Sequence, residues 1–325
     1  MSEGVITPIR ISQRRFLITG ASGFVGSCLL RRLVESGEEV HVLLRPQARL
    51  WRINDLKGRY FAHECDLLDH DRVSQVVGEI RPTVVYHLAA YGAYSYQNEA
   101  DQILKADING TWNLLQACKG LDFELFVNTG SSSEYGFKKE PMKESDILEP
   151  ASYYAVAKSA QTLLCSFFAK SEKKPVVTFR LFSVYGPYEE PTRLIPALMK
   201  ALDLGLPMNL VSPNIARDMI YVDDVVDAYL MVDRLKAFSG EYFNISTGIQ
   251  SSMADVVRLA EEASGRTTEF RWSGMPARSW DTDIWVADTH KAKTVLGWSS
   301  RVNLRTGLAK TWAWYDTHKK LYFNV

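Results

Sequence analysis

Tyr154 and Lys158 are the residues of this 325-residue chain that are best suited to proton transfer. They stand four positions apart in a helix-forming stretch, so they share one face of a helix. A nearby cation favours the phenolate, and Lys158 is therefore expected to lower the pKa of Tyr154 toward neutral pH. Ser131 follows an apolar strand and offers a hydroxyl that can hydrogen-bond a substrate oxygen. Alone, the Tyr-x-x-x-Lys spacing is also typical of an exposed amphipathic helix.

A glycine-rich turn lies far upstream of this group, between a short apolar strand at 15–19 and a helix at 24–36. Its glycines allow a tight turn, a close approach of backbone to a pyrophosphate, and close packing of the helix on the strand. The helix start favours an anion, because its free N–H groups and dipole point there. We expect a dinucleotide to contact Gly20, Ser22, Gly23, Phe24, Val25 and Gly26.

The end of the second strand, 39–44, indicates which dinucleotide is bound. An acidic residue about twenty positions beyond the glycines would accept the adenosine ribose hydroxyls of NAD. This chain has Leu44 and then Arg45 there. A guanidinium can hold a 2′-phosphate, whereas a carboxylate would repel it. The sequence therefore favours NADP over NAD, and the alternative is that Arg45 is a solvated charge at a strand end.

Composition excludes several classes of function. Lys+Arg and Asp+Glu both total 38, so no basic excess attracts nucleic acid or an acidic membrane surface. The N-terminus lacks the pattern of a secretory signal, and no apolar run approaches membrane-spanning length. The four cysteines have no metal-ligand spacing and are interpreted as reduced thiols. We expect a cytoplasmic protein without a metal site.

The order of predicted elements favours an α/β fold. Apolar strands alternate with helices up to about residue 185, which predicts a doubly wound parallel sheet of Rossmann type, covered on both faces. After that point prolines cluster and the elements shorten. We therefore assign 1–185 to a dinucleotide-binding domain and 186–325 to a smaller C-terminal substrate-binding domain, with 218–245 returning to the first.

These motifs, in this order, resemble an extended short-chain dehydrogenase/reductase, the group that includes UDP-galactose 4-epimerase and the nucleotide-sugar dehydratases and reductases. The resemblance spans roughly residues 14–315. It is specific for the family and much less so for the reaction. The matching segments are Thr19–Gly26, Asp66-Leu67, His87–Ala90, Gly110–Leu115, Ser131–Gly136, Tyr154–Lys158, Tyr185–Pro187, Arg217–Asp224 and Trp285–Asp288.

The resemblance implies roles for particular residues. Ser131, Tyr154 and Lys158 would be catalytic, and Lys158 would also hold the cofactor ribose. Arg217 and Arg278 would contact the diphosphate of a nucleotide sugar, which suits a guanidinium pair. Further cofactor contacts are expected from Asp66, Leu67, Leu88, Ala89, Ala90 and Thr129. Further substrate contacts are expected from Tyr91, Ser132, Ser133 and Ser183.

Departures from the family pattern narrow the reaction. The family dehydratases place acidic residues directly after the catalytic Ser/Thr, where this chain has Ser132 and Ser133. Dehydration is therefore disfavoured. Glu134 is acidic, but it lies one position beyond the two at which the family dehydratases have their acidic residues. The family asparagine before Gly110 is Asp107 here, although Asn109 is near, and the asparagine ahead of Tyr-Gly-Pro is Ser183.

We therefore expect an NADPH-dependent reductase of a nucleotide-linked keto-sugar, acting at C4 with Tyr154 as the proton donor. One alternative is a nucleotide-sugar 4-epimerase that keeps its NAD(P) tightly bound. A second alternative is a non-catalytic dinucleotide-binding protein, since fold alone does not fix function. A non-sugar reductase is a further possibility, which Arg217 and Arg278 disfavour.

A homodimer is the expected assembly. The helices predicted at 100–120 and 152–170 are apolar on more than one side, and such helices need a second packing partner. The resemblance implies a four-helix interface there, closed by a two-fold axis. The apolar residues in question are Ile103, Leu114, Leu115, Leu163, Leu164, Phe167 and Phe168.

Overall fold

The computed structural model describes residues 14–94, 96–275 and 282–323. Its main feature is a seven-stranded, entirely parallel sheet with the order β10-β6-β5-β4-β1-β2-β3. The strands are β1 Arg15–Thr19, β2 Glu39–Leu44, β3 Phe61–Glu64, β4 Val84–His87, β5 Leu125–Ser131, β6 Val176–Leu181, β7 Ser183–Tyr185, β8 Met208–Asn209, β9 Ala216–Tyr221, β10 Tyr242–Ile245, β11 Gln250–Ser252 and β12 Phe270–Arg271.

Helices cover both faces of this sheet, as the alternation of elements predicts. They are α1 Phe24–Glu35, α2 His70–Ile80, α3 Ala100–Leu104, α4 Gly110–Lys119, α5 Tyr153–Glu172, α6 Leu194–Leu204, α7 Val222–Tyr229, α8 Val232–Leu235, α9 Met253–Ser264, α10 Leu304–His318 and α11 Lys320–Phe323. A π turn, Lys105–Asn109, joins α3 to α4, so the single helix predicted over 100–120 has an irregular middle.

Side-chain alternation along the strands divides the core in two. Phe16 and Ile18 of β1 pack in the cluster that includes α1 and α7, whereas Leu17 packs in the cluster of α2, α4 and α5. Successive side chains of a strand point to opposite faces, so each strand of the sheet serves both clusters. The doubly wound Rossmann fold predicted from the sequence is thereby confirmed.

The smaller layer has its own sheet and core. β9 lies between β11 and β7, antiparallel to the first and parallel to the second. Its core contains Leu198 and Met199 of α6, Val256 and Ala260 of α9, and Leu308 of α10. Within the predicted returning segment 218–245, β10 pairs with β6 of the main sheet. The domain boundary at 185 stays a prediction.

Thiols and helix lengths agree with the expectations from composition as far as the structure describes them. Cys65, Cys118 and Cys165 are buried free thiols and Cys28 is half-buried. None of the helices in the described ranges is long and apolar enough to cross a membrane. The cytoplasmic location stays a prediction.

Candidate active site

The glycine turn joins β1 to α1 at the carboxyl edge of the sheet. Gly20 has φ +73°, and a Cβ there would lie 2.5 Å from the backbone N of Ala89. A Cβ on Gly26 would lie 2.2 Å from the carbonyl oxygen of Gly20. Both neighbours are backbone atoms that cannot move aside. Glycine is therefore required at position 26, where α1 packs on β1, and at position 20, where the end of β1 packs on the segment after β4.

The N-terminus of α1 fits a phosphate group. Its N-cap is Gly23, and none of the described side chains caps it. A Cβ on Gly23 would meet only the carbonyl oxygen of Gly20, at 3.1 Å. The first turn thus offers backbone N–H groups and the positive end of the dipole to an anion. Ser22, Phe24 and Val25 lie half-buried around it.

Neighbouring strands bring the other predicted cofactor residues to the same edge. The backbone N–H of Leu88 donates to the Thr19 carbonyl at 3.1 Å, and the N–H of Ala89 donates to the Thr19 hydroxyl at 3.3 Å. Ala90 is exposed directly after them. The backbone after β4 is therefore held against the glycine turn, where the sequence places the cofactor diphosphate.

The β2–β3 side of the edge holds the residues expected near the adenosine. Arg45 is exposed at the end of β2, and Asp66 is exposed after β3. Asp66 Oδ1 accepts from Leu68 N at 2.9 Å, which fixes the turn. Leu67 is half-buried, and its carbonyl accepts from Asn113 Nδ2 at 2.8 Å. These positions suit contacts to the far half of a dinucleotide.

Ser131 and Tyr154 meet at the end of β5. Burial raises the pKa of Tyr154, as does the negative charge of Asp107, while a hydrogen bond with Ser131 acts in the opposite direction. Ser131 Oγ also lies 2.8 Å from Ser133 Oγ. The structure differs here from the expectation that Lys158 lowers this pKa, because burial of the phenol outweighs the charges around it.

Lys158 is buried under Tyr154, with its Nζ 5.8 Å from the centre of the tyrosine ring. The ammonium donates to the Thr129 carbonyl at 3.0 Å and to Gln161 Oε1 at 2.9 Å. The Thr129 hydroxyl is engaged elsewhere, 2.6 Å from the hydroxyl of Tyr229. Thr129 therefore contributes its backbone rather than its side chain to the site.

The segment after Ser131 is held by a buried ion pair. Glu134 Oε1 accepts from Ser131 N at 2.8 Å and from the Thr162 hydroxyl at 3.0 Å, and its Oε2 accepts from Arg180 Nε at 2.8 Å. Ser132 is also buried and accepts from Trp285 Nε1 at 3.1 Å. Glu134 and Ser132 thus hold the backbone around Ser131 in place.

Asp107 occupies the π turn, and its side chain is fully buried. Its Oδ1 accepts from Tyr91 N at 2.8 Å, and its Oδ2 is buried with no hydrogen-bond partner in the described part of the chain. Burial raises the pKa of Asp107, while Lys158 opposes this. Asn109 is exposed. Asp107 is therefore the residue of the π turn whose charge acts on Tyr154.

The loop after Ala90 forms one wall of the site. Tyr91 is half-buried, and a Cβ on Gly92 would lie 3.2 Å from Cδ2 of Tyr154. The rings of Tyr94 and Tyr96 stack with centroids 5.5 Å apart. The loop therefore packs on Tyr154 itself.

Two of the predicted substrate residues, Ser183 and Arg217, lie in the smaller layer. Ser183 of β7 pairs with Met219 of β9, two positions after Arg217. The Arg217 guanidinium lies 5.4 Å from the ring of Trp285, and Nη1 donates to the Ala216 carbonyl at 2.7 Å. Since Trp285 also contacts Ser132, the arginine and the serine segment share one neighbour. Arg278 lies outside the described residues.

Two charged residues that follow β7 were missed by the sequence analysis. Arg193 is near enough to Tyr154 to oppose the rise in its pKa. Glu189 is buried, its Oε1 lies 3.8 Å from Arg193 Nε, and its Oε2 has no partner in the described ranges. Burial raises the pKa of Glu189 to about 8. The proline-rich composition of this segment gave no signal for either residue.

A third missed residue is Arg52, which joins three segments around the site. Its Nη2 donates to Glu190 at 2.9 Å, Nε to the Tyr188 carbonyl at 2.7 Å, and Nη1 to the Ser22 carbonyl at 3.4 Å. Both partners of the ion pair are buried. The segment after β2, the glycine turn and the segment after β7 are thus bonded through one guanidinium.

Comparison with known proteins agrees with this architecture. The family described as NAD dependent epimerase/dehydratase matches residues 16–246. An uncharacterized UDP-glucose epimerase of Bacillus subtilis is 29% identical over 319 residues, covering 93% of this chain and 98% of that protein. Two solved structures, described next, each align with 93% of this chain and with 99% of their own chain.

The first is a UDP-glucose 4-epimerase from Thermotoga maritima with UDP-glucose, which is 27% identical to this chain with a TM-score of 0.84. The second is a UDP-glucuronic acid 4-epimerase from Bacillus cereus, in complex with UDP-glucuronic acid and NAD, which is 28% identical with a TM-score of 0.83. Similar chains thus bind a nicotinamide dinucleotide and a nucleotide sugar.

Proposed function

Because this chain belongs to the NAD dependent epimerase/dehydratase family, we propose that it is a nucleotide-sugar 4-epimerase. The observation that carries the proposal is the meeting of Ser131 and Tyr154 above the buried Lys158, beside a glycine turn that fits a dinucleotide. The similar solved 4-epimerases support this reading over the reductase expected from the sequence. Membership in a family of enzymes also removes support from the non-catalytic alternative.

The residues present fit a nicotinamide dinucleotide. The first turn of α1 would hold its pyrophosphate, and the remaining N–H of Lys158 would hold its nicotinamide ribose. When bound, the nicotinamide supplies a hydride acceptor that can return the hydride. Every other step is a proton transfer or a contact made by the chain.

Tyr154 Oη would take the proton from the C4 hydroxyl of the sugar and return it after the sugar presents its other face. Ser131 Oγ would hydrogen-bond the same sugar oxygen, since it already lies beside the phenol. Net protons do not accumulate, because each proton removed is given back. This mechanism requires only one acid/base group from the protein, and such a group typically increases the reaction rate about 10²–10⁴-fold.

Dehydration lacks a matching acid. Ser132 and Ser133 occupy the two positions after Ser131, and Ser132 is bonded to Trp285. Both oxygens of Glu134 are engaged with Ser131, Thr162 and Arg180. A carboxyl group in these bonds would have to give up a buried ion pair before it could protonate a leaving hydroxyl.

Arg45 favours a second candidate, NADPH-dependent reduction of a 4-keto nucleotide sugar. The guanidinium is exposed at the end of β2, next to Leu44, and can pair with a 2′-phosphate. We propose NADP(H) as the cofactor on this ground, with NAD as the alternative that the solved relatives support. Arg45→Ala should weaken NADPH binding roughly tenfold or more and NADH binding much less. Equal loss for both dinucleotides would remove this argument.

A deuterium label at C4 separates the two candidates. UDP-glucose carrying deuterium at C4 is incubated with the purified protein, NAD⁺ or NADP⁺ is added, and the sugars are followed by NMR. A 4-epimerase yields UDP-galactose that keeps the deuterium, because the same hydride returns. A reductase instead consumes NADPH with a 4-keto sugar and leaves UDP-glucose unchanged. Mass spectrometry of the fresh protein reports any retained dinucleotide.

Three substitutions test the catalytic assignment. Tyr154→Phe should lower turnover by about two to four orders of magnitude with dinucleotide binding nearly unchanged. Ser131→Ala should reduce turnover more than cofactor affinity, and Lys158→Met should damage both. Tyr153→Phe is the matched control, because Tyr153 is 61% exposed on the same helix turn. A folded Tyr154→Phe protein with wild-type turnover would exclude this mechanism.

We further propose a homodimer, formed through α4 and α5. Leu163 and Phe167 of α5 are 60% and 67% exposed, and Trp112 of α4 is 46% exposed. Exposed large apolar side chains in line on a helix are typical of an interaction surface. The expected interface is narrower than the sequence predicted, because Ile103, Leu114, Leu115 and Phe168 are buried in the chain's own core.

A further inference from the structure

Gln161 is a buried residue to which neither the motifs nor the proposed chemistry assigns a role. It lies on α5 three positions after Lys158, so both side chains share one face of the helix. An ammonium has three N–H donors. Two of those of Lys158 go to Gln161 Oε1 and to the Thr129 carbonyl, which leaves one for a ligand.

The neighbours of Gln161 determine which way its amide faces. Thr111 gives its hydroxyl hydrogen to the Asp107 carbonyl, at 2.5 Å, so the Thr111 oxygen must accept other bonds. Gln161 Nε2 lies 2.7 Å from that oxygen and is the donor. The amide oxygen therefore faces Lys158, and the reversed amide would place a donor against the ammonium.

His87 extends the same chain of bonds to the glycine turn. Its Nε2 lies 2.9 Å from Thr111 Oγ1 and must donate, so its Nδ1 accepts from the Thr19 hydroxyl at 2.7 Å. Burial and Lys158 lower the pKa of His87 to about 3, so the ring is neutral. Thr19 directly precedes Gly20. One continuous path of buried polar side chains thus runs from the glycine turn to the catalytic lysine.

We infer that Gln161 is a positioning residue, which aims the free N–H of Lys158 at the ribose of the dinucleotide. The amide does so through bonds anchored on Thr111 and, beyond it, on His87 and Thr19. The inference rests on the role proposed above for Lys158. This role explains why a glutamine is buried beside Lys158. Its amide oxygen and its amide nitrogen each have a hydrogen-bond partner, and both bonds form only when the oxygen faces Lys158.

Binding measurements on Gln161→Leu test the inference. Leucine fills a similar volume and removes both amide contacts. Loss of a hydrogen bond to a charged group should weaken NAD⁺ or NADP⁺ binding roughly ten- to hundredfold. ADP and 2′,5′-ADP contain only the adenosine half and do not reach Lys158, so their affinities should stay within about twofold.

Two further variants make the test specific. Ser159→Ala is the matched control, because within the described ranges that buried hydroxyl bonds only to the Ala155 carbonyl of its own helix. It should leave dinucleotide affinity unchanged. Gln161→Glu keeps an oxygen facing Lys158 but loses the donor to Thr111 Oγ1, so it should recover only part of the affinity that leucine loses.

The outcomes are distinguishable. Equal weakening of ADP and dinucleotide binding in Gln161→Leu, or no weakening of either, would overturn the inference, because a purely structural residue acts on both halves alike. Normal dinucleotide binding by Lys158→Met would refute the role proposed for Lys158 and with it this inference. Weak binding by Lys158→Met and by Gln161→Leu, with ADP affinity intact in both, supports both assignments.

Discussion

Glu134→Gln is a substitution whose effect can be worked out from the contacts around Ser131. The carboxylate is fully buried and bonds Ser131 N, the Thr162 hydroxyl and Arg180 Nε. Glutamine can keep its oxygen toward Ser131 and Thr162. Its amide nitrogen would then face the guanidinium, so Arg180 would be buried without its counter-charge.

The size of the effect follows from that uncompensated charge. Removing one partner of a buried ion pair costs about 3–5 kcal/mol. For a chain of 325 residues, an unfolding entropy of about 2.1 cal/mol/K per residue gives roughly 0.7 kcal/mol per degree. The melting temperature should therefore fall by roughly 4–7 °C. Turnover per folded molecule should stay within about threefold, since Ser131 keeps its acceptor.

Differential scanning calorimetry and an activity assay below the transition measure the two effects. Glu140→Gln is the control, because Glu140 is an exposed glutamate six positions further along the chain. A Glu134→Gln protein whose melting temperature matches that of Glu140→Gln would refute the argument. A large loss of turnover at full stability would show instead that Glu134 acts directly in the reaction.

Three further outcomes are expected. Asp107→Asn removes a charge that raises the pKa of Tyr154, so the low-pH limb of activity should move by roughly one unit to lower pH; an unmoved or opposite limb contradicts this. Burial raises the pKa of Glu189 to about 8. The folded protein therefore binds the proton of this carboxyl group more tightly than the unfolded chain does. The resulting contribution to stability is complete below about pH 4.5 and is lost as the pH rises through 8. The melting temperature of Glu189→Gln minus that of the wild type should therefore be larger at pH 9 than at pH 5. The same difference in melting temperature at both pH values would count against this prediction. Leu163→Glu should convert a dimer to a monomer in sedimentation at micromolar concentration, with Phe167→Ala weakening it less; a monomeric wild type would contradict the dimer.

Local patterns predicted most of the fold. The expected strands 15–19 and 39–44 coincide with β1 and β2, and α5 begins one residue after its expected start at 152. Apolar strands and Ser152, whose hydroxyl accepts from Ala155 N, encode these elements within a few residues. The glycine spacing likewise needed no tertiary information.

Contacts between distant residues could not be predicted in this way. Arg180 meets Glu134 from 46 positions away, and Arg52 meets Glu190 from 138. The π turn that buries Asp107 has no composition of its own, so the sequence predicts an unbroken helix there. The rise in the pKa of Tyr154 was missed for the same reason, because burial depends on elements that the motif does not contain.

The guanidinium of Arg52 has a consequence for building chimaeras between relatives of this chain. A recombinant that takes the segment 186–190 from a relative with no acidic residue at position 190, and 51–56 from this chain, would leave Arg52 without the carboxylate of Glu190. The buried arginine would then lack its counter-charge, at a cost of about 3–5 kcal/mol. Crossover points on either side of β2 and β7 should therefore be chosen so that both segments come from one parent.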